Sequence, residues 1–105
     1  MCGIAGFVDR GLSSDSARSV LENMCSSIRS RGPDDEGTWF SEELRVGFRH
    51  RRLAIVDLSS TGRQPMISRT GRYVITFNGE IYNYKKLKAQ YCVDTSHLRG
   101  ESDTE

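Results

Sequence analysis

The sequence predicts an α+β fold with mostly antiparallel strands. Two stretches carry helical apolar spacing, strand-like runs outnumber them, and several of those runs read as antiparallel neighbours. No internal repeat, low-complexity tract or linker interrupts the pattern.

Residues 2–9, short and rich in small residues, read as a buried strand. Ser13, Ser14 and Asp15 then offer helix N-caps. Ala17, Val20, Leu21, Met24, Cys25 and Ile28 follow at helical spacing, which predicts a helix of about 14 residues. Cys25 falls inside its apolar stripe, where packing is the expected role. Arg31-Gly32-Pro33-Asp34 should stop the helix, because the residue before a proline resists the α region.

Two strands are expected next, over Thr38–Ser41 and Leu44–Arg49. In the second, Leu44, Val46 and Phe48 alternate with Arg45, Gly47 and Arg49, a half-buried pattern. Leu53–Leu58 reads as a further apolar strand ending in Ser59-Ser60-Thr61-Gly62. Tyr73–Phe77 reads as a β-branched and aromatic strand running into Asn78-Gly79. A second helix is expected over Tyr84–Tyr91, with Tyr84, Leu87 and Tyr91 on one face. Beyond Val93 the pattern weakens.

The totals narrow the function classes. A chain of 105 residues has room for one small core. An apolar share of 36% and a charged share of 28% suit a soluble chain, expected to be cytoplasmic. Fifteen basic residues nearly cancel fourteen acidic ones, for a net charge of +1, so neither nucleic acid nor an anionic membrane is expected as partner. No apolar run approaches the ~20 residues of a membrane span. The apolar N-terminus lacks the basic start of a signal peptide and reads as mature sequence. Cys2, Cys25 and Cys92 fit neither a disulfide framework nor a CxxC metal site, and reduced thiols are expected.

Four places could carry chemistry. Cys2, once Met1 is cleaved, holds a thiol beside its own α-amine, whose reference pKa is about 7.7–8.0. That is a nucleophile and base within one residue, the thiol counterpart of an N-terminal threonine. The bland alternative is a cysteine that merely follows the initiator. Asn78-Gly79 is ordinarily a hairpin turn, yet an Asn amide and a Gly N–H also make a pair of oxyanion donors. His50-Arg51-Arg52-Leu53 reads as a solvated basic turn, or as an Arg clamp for a substrate carboxylate. His50 is a conceivable general base, but a lone His beside a strand is ordinarily structural. An Asp in Gly100-Glu101-Ser102-Asp103-Thr104-Glu105 could bind a substrate ammonium, or be plain loop. A weaker reading is nucleic-acid contact through Arg45, Arg49, Arg51, Arg52 and Arg63.

Five ordered segments carry a resemblance. They are Met1-Cys2-Gly3-Ile4-Ala5-Gly6, RSRGPDDEG (29–37), RLAIVDLSSTGRQPM (52–66), FNGEIYNY (77–84) and ESDTE (101–105). Together they resemble the N-terminal glutaminase domain of glutamine-dependent asparagine synthetases, a class II glutamine amidotransferase of the N-terminal-nucleophile hydrolase type. The resemblance covers essentially the whole chain. RGPD, the QPM element and NGEIYN are similar to this branch rather than to glucosamine-6-phosphate synthase or the amidophosphoribosyltransferase.

The resemblance implies the front portion of a four-layer αββα sandwich, so that residues 1–105 are a partial amidotransferase domain. It implies Cys2 as nucleophile and Asn78 and Gly79 as the oxyanion hole. Arg52 would hold the glutamine α-carboxylate, with Leu53, Ala54, Ile55 and Val56 lining the same pocket. Glu80 and Asp103 would hold the α-ammonium, and Arg31 and Asp34 would be supporting residues. L-Glutamine is the implied substrate, with no metal or organic cofactor in this half-reaction. ATP and Mg are expected only in a C-terminal synthetase domain, which this sequence lacks: no SGGxDS-like segment occurs. A homodimer is conceivable for the full-length protein. Open sheet edges predict that the isolated chain folds poorly. Two other readings stay open: an inert or regulatory module, and the amidotransferase half of a relative acting on a sugar, peptide or antibiotic precursor.

Overall fold

A computed structural model of the protein describes residues 1–54, 60–91, 94–96, 98–100 and 102–104. Its fold is α+β with antiparallel sheets, as the sequence predicts. Strand β1 (Gly3–Val8), helix α1 (Ser14–Ser27), strand β2 (Asp35–Ser41) and strand β3 (Val46–Arg52) form the main unit. A two-stranded hairpin, β4 (Met66–Ile67) and β5 (Val74–Ile75), and helix α2 (Tyr84–Tyr91) follow.

The main sheet has the order β1-β3-β2, with both neighbours antiparallel to β3. Residues directly opposite share a face, so the register sorts the side chains. One face carries Ala5, Phe7, Gly47, Arg49, Arg51, Glu36, Thr38 and Phe40, and α1 lies on it through Leu21, whose Cδ1 would be 2.8 Å from a Cβ at Gly47. Only glycine leaves that space, and the rings of Phe7 and Phe40, both opposite Gly47, flank it with centroids 6.2 Å apart. Ala17, Leu21 and Cys25 recur every fourth residue along α1 and are buried. Burying Leu21 in this way contributes about 2 kcal/mol. Ser13 caps the helix, its side chain accepting the Ser16 N–H at 3.2 Å.

The opposite face carries Ile4, Val8, Val46, Phe48, Trp39, His50 and Arg52. Trp39 stacks on Phe48 at 5.6 Å, while Ile4 and Val8 stay exposed. The segment around Gln64 and Pro65 crosses this face at Gly37.

Several boundaries differ from the sequence reading. Helix α1 ends at Ser27, and a 3-10 turn over Arg29–Arg31 precedes Gly32-Pro33. Strand β2 begins at Asp35 rather than Thr38. The next strand spans Val46–Arg52, not Leu44–Arg49, because Arg45 adopts the left-handed region with φ 53° and turns the chain there. Leu44 is consequently exposed. His50, Arg51 and Arg52 are therefore buried strand residues and not a solvated turn. Leu53 and Ala54 are not in a strand, and positions 55–58 lie outside the described residues. The expected strand Tyr73–Phe77 is limited to Val74–Ile75, whose partner Met66–Ile67 the sequence pattern did not single out. Helix α2 has the expected bounds, and none of its described residues is fully buried.

Candidate functional site

The antiparallel pairing of β1 with β3 sets the position of Cys2. Gly3 is opposite Arg51, so the residue before Gly3 comes to the end of β3, where the chain leaves the sheet at Leu53. The Leu53 N–H donates to Cys2 Sγ at 3.4 Å, and the thiol faces the Leu53 carbonyl at 3.7 Å. Asp34 holds the same segment on both sides of Leu53. Its N–H donates to the Arg52 carbonyl at 3.1 Å, and its carboxylate accepts the Ala54 N–H at 2.8 Å.

Cys2 opens into a cleft of about 610 Å³ on the sheet face opposite α1. Arg52, Leu53 and Ala54 form one wall, from the end of β3. Asn78, Gly79 and Glu80, all exposed, form a second wall after β5. Asp103 enters from a third segment, its Oδ2 accepting the Ile81 N–H at 2.7 Å. The described residues of the implied pocket thus border one space, whereas Arg31, Asp34 and Arg51 do not line it, and Ile55 and Val56 lie outside the described residues. Met1 borders the cleft beside Cys2.

Of the further residues that line it and that sequence reasoning did not assign to the site, Gln64 and His50 are buried polar side chains. Gln64 is buried, accepts the Phe77 N–H through Oε1 at 2.6 Å, and donates from Nε2 to Thr104 Oγ1 at 3.3 Å. Its only sequence signal is its place in the QPM element. His50 is 1% exposed, and among the described residues neither ring nitrogen has a hydrogen-bond partner. Burial pushes its pKa below the ordinary 6.5; the nearby Phe77 backbone opposes that shift without reaching hydrogen-bond geometry.

The arginines that suggested a nucleic-acid surface are engaged within the fold. Arg51 pairs with Glu36 at 2.6 Å and Arg63 with Asp35 at 2.8 Å. Arg49 bonds to Leu21 O and Thr38, Arg45 to Ser14, and Arg52 is buried at the cleft. The Arg63 guanidinium holds the Asp35 carboxyl below its usual range. Cys25, on the buried face of α1, has its thiol pKa pushed up, chiefly by desolvation. Among the described residues, no helix is long and apolar enough to cross a membrane.

The cleft brings several kinds of side-chain chemistry together. It holds a thiol, a buried guanidinium, a carboxylate and an Asn-Gly pair, brought together from both ends of the chain. The chain is 44% identical over 91 residues, 85% of its length, to asparagine synthetase [glutamine-hydrolyzing] 2 of Bacillus subtilis. It is 40% identical over its full length to the amidase chry2 of Gibberella zeae, and 35% identical over 87% of its length to asparagine synthetase B of Escherichia coli. It spans 12%, 17% and 16% of those proteins, respectively. No solved structure matches it. Residues 1–105 match the family model described as glutamine amidotransferase domain, and the chain belongs to that family.

Proposed function

We propose that this chain catalyses the glutamine-hydrolysing half-reaction of an asparagine-synthetase-type amidotransferase, with Cys2 as nucleophile. The observation that carries the proposal is the single cleft bordered by Cys2, Arg52, Asn78, Gly79, Glu80 and Asp103.

In this reading Met1 is removed, and the freed α-amine of Cys2 takes the thiol proton. The sulfur attacks the side-chain carbonyl of glutamine, forming the S–C bond and an oxyanion. The Asn78 amide and the Gly79 N–H stabilise that charge as it develops, where fixed donors are most effective. Collapse of the intermediate breaks the C–N bond, and the amine returns its proton to the departing ammonia. Water then cleaves the thioester to glutamate and restores the thiol. Arg52, with its planar fork, clamps the α-carboxylate. Asp103 and Glu80 hold the α-ammonium, and the backbone of residues 53–56 lines the pocket. Neither metal nor organic cofactor takes part in these steps.

Ammonia released here would pass to an ATP-dependent synthetase domain, where ATP and Mg belong. The Bacillus and Escherichia relatives, both glutamine-hydrolysing asparagine synthetases by name, support asparagine as the product of the whole protein.

The test is glutamate release from glutamine, together with labelling by diazo-oxo-norleucine. A mass gain at Cys2, absent from Cys2→Ala, supports the reading. A chain that retains its initiator methionine and still hydrolyses glutamine would refute the proposed base.

A further inference from the structure

Two walls of the cleft are tied together by one buried amide. Gln64 Oε1 accepts the N–H of Phe77 at 2.6 Å, and Phe77 directly precedes Asn78 and Gly79. Gln64 Nε2 donates to Thr104 Oγ1 at 3.3 Å, and Thr104 directly follows Asp103. The Asp103 carboxylate in turn accepts the Ile81 N–H at 2.7 Å, closing a ring through segments 64, 77–81 and 103–104. Gln64 is 7% exposed, and its own carbonyl is pressed against Gly37 of β2. The ring is therefore anchored to the main sheet.

An amide suits this place because it offers an acceptor on one arm and a donor on the other. Methionine has similar length and flexibility but would leave the half-buried Phe77 N–H without its acceptor.

We infer that Gln64 is a positioning residue. It sets the oxyanion donors at Asn78-Gly79 and the ammonium-binding carboxylate of Asp103 relative to each other, without itself reacting. The inference rests on the proposed glutaminase reading and deepens it.

Two variants separate the two ties. Thr104→Val removes only the link to Asp103. It should raise KM for glutamine about fivefold, the effect of one ordinary hydrogen bond, with kcat within twofold. Gln64→Met removes both links. It should raise KM similarly and also lower kcat at least tenfold, since a lost oxyanion donor costs about 100-fold or more. Alkylation of Cys2 by iodoacetamide, a displacement that forms no oxyanion, should stay within twofold of the unaltered chain in both variants.

Unchanged kcat and KM in Gln64→Met would overturn the inference. If Cys25, buried in the fold, becomes alkylated as well, that variant has unfolded and Thr104→Val decides, an unchanged KM again being fatal. If the unaltered chain hydrolyses no glutamine, the proposed function fails by itself. The clamp is then read from amide hydrogen exchange: faster exchange at Phe77 and Ile81 in Gln64→Met supports it, and unchanged exchange overturns it.

Discussion

Cys2 and Leu53 hold one another across the end of the main sheet, the Leu53 N–H donating to Sγ at 3.4 Å and the thiol facing the Leu53 carbonyl at 3.7 Å. The contact follows from the β1–β3 register, in which Gly3 lies opposite Arg51. Bonds to sulfur are weak, so the pair orients the thiol more than it stabilises the fold. Cys2→Ala should therefore lose glutamine hydrolysis by about 10⁴-fold or more, as removal of a nucleophile does. Its melting temperature should move by no more than about 5 °C, the shift that about 1 kcal/mol produces in a domain of this size. Thermal unfolding followed by circular dichroism, run beside the activity assay, checks both halves. A large loss of stability would make the thiol a structural element.

Asp34 grips the chain on each side of Leu53, through the Arg52 carbonyl and the Ala54 N–H. Asp34→Ala keeps the backbone bond and removes the carboxylate. The exposed Ala54 N–H can turn to water, so the stability cost should be small, about 1 kcal/mol. The functional cost should be larger in KM than in kcat, because the wall bearing Arg52 loosens while Cys2 stays at the start of β1. Steady-state kinetics should give a KM raised about three- to tenfold, with kcat changed less than threefold. The opposite split would place Asp34 in the chemistry itself.

How much of this was legible beforehand differs from element to element. Helix α1 could be read because local signals agreed: apolar spacing at 17, 21 and 25 and a serine cap. Strand β3 was displaced in the reading because His50-Arg51-Arg52 looks like solvent-facing sequence. Only the tertiary partner Glu36, on the neighbouring strand, makes a buried Arg51 tolerable. The pairing of Met66–Ile67 with Val74–Ile75 was hidden because two-residue strands carry no periodicity. At the site, Cys2, Arg52, Asn78-Gly79 and Asp103 each had an ordinary alternative, and proximity in the fold is what gathers them. The role of Gln64 was not legible, since both of its bonds depend on segments that meet only after folding.

Gly37 marks where the main sheet and the cleft wall touch. A Cβ there would sit 1.9 Å from the Gln64 carbonyl oxygen and 2.9 Å from its carbon, both backbone atoms. Gly37→Ala must push the Gln64 segment away, because no rotamer change relieves a clash with main chain. Overpacking of this kind costs about 1–3 kcal/mol. The shift should also weaken the Gln64 bonds, so glutamine hydrolysis should fall along with the melting temperature. By contrast, Gly71→Ala, where a Cβ meets nothing within 4 Å, should cost only the strain of its positive φ and leave activity intact. Equal activity losses in the two variants would contradict this account.

His50 makes the stability depend on pH in a stated direction. It is 1% exposed, and desolvation holds its pKa below the ordinary 6.5, with Arg52 adding to the effect and Asp35 opposing it. Above about pH 6.5 both folded and unfolded chains carry a neutral ring, and the full stability is present. As the pH falls below that value, the unfolded chain takes up a proton that the folded one still refuses. Stability is therefore lost progressively until the pH passes the folded pKa, at a rate of at most about 1.4 kcal/mol per pH unit. Asp35, whose pKa is depressed from 3.8, adds its own loss only at lower pH. Denaturant midpoints measured at pH 7.5, 6.5 and 5.5 should differ little between the first two and fall clearly at the third in the unaltered chain. In His50→Gln, which cannot titrate there, the fall between pH 6.5 and 5.5 should flatten. A midpoint that drops equally in both chains would assign the acid sensitivity to another group.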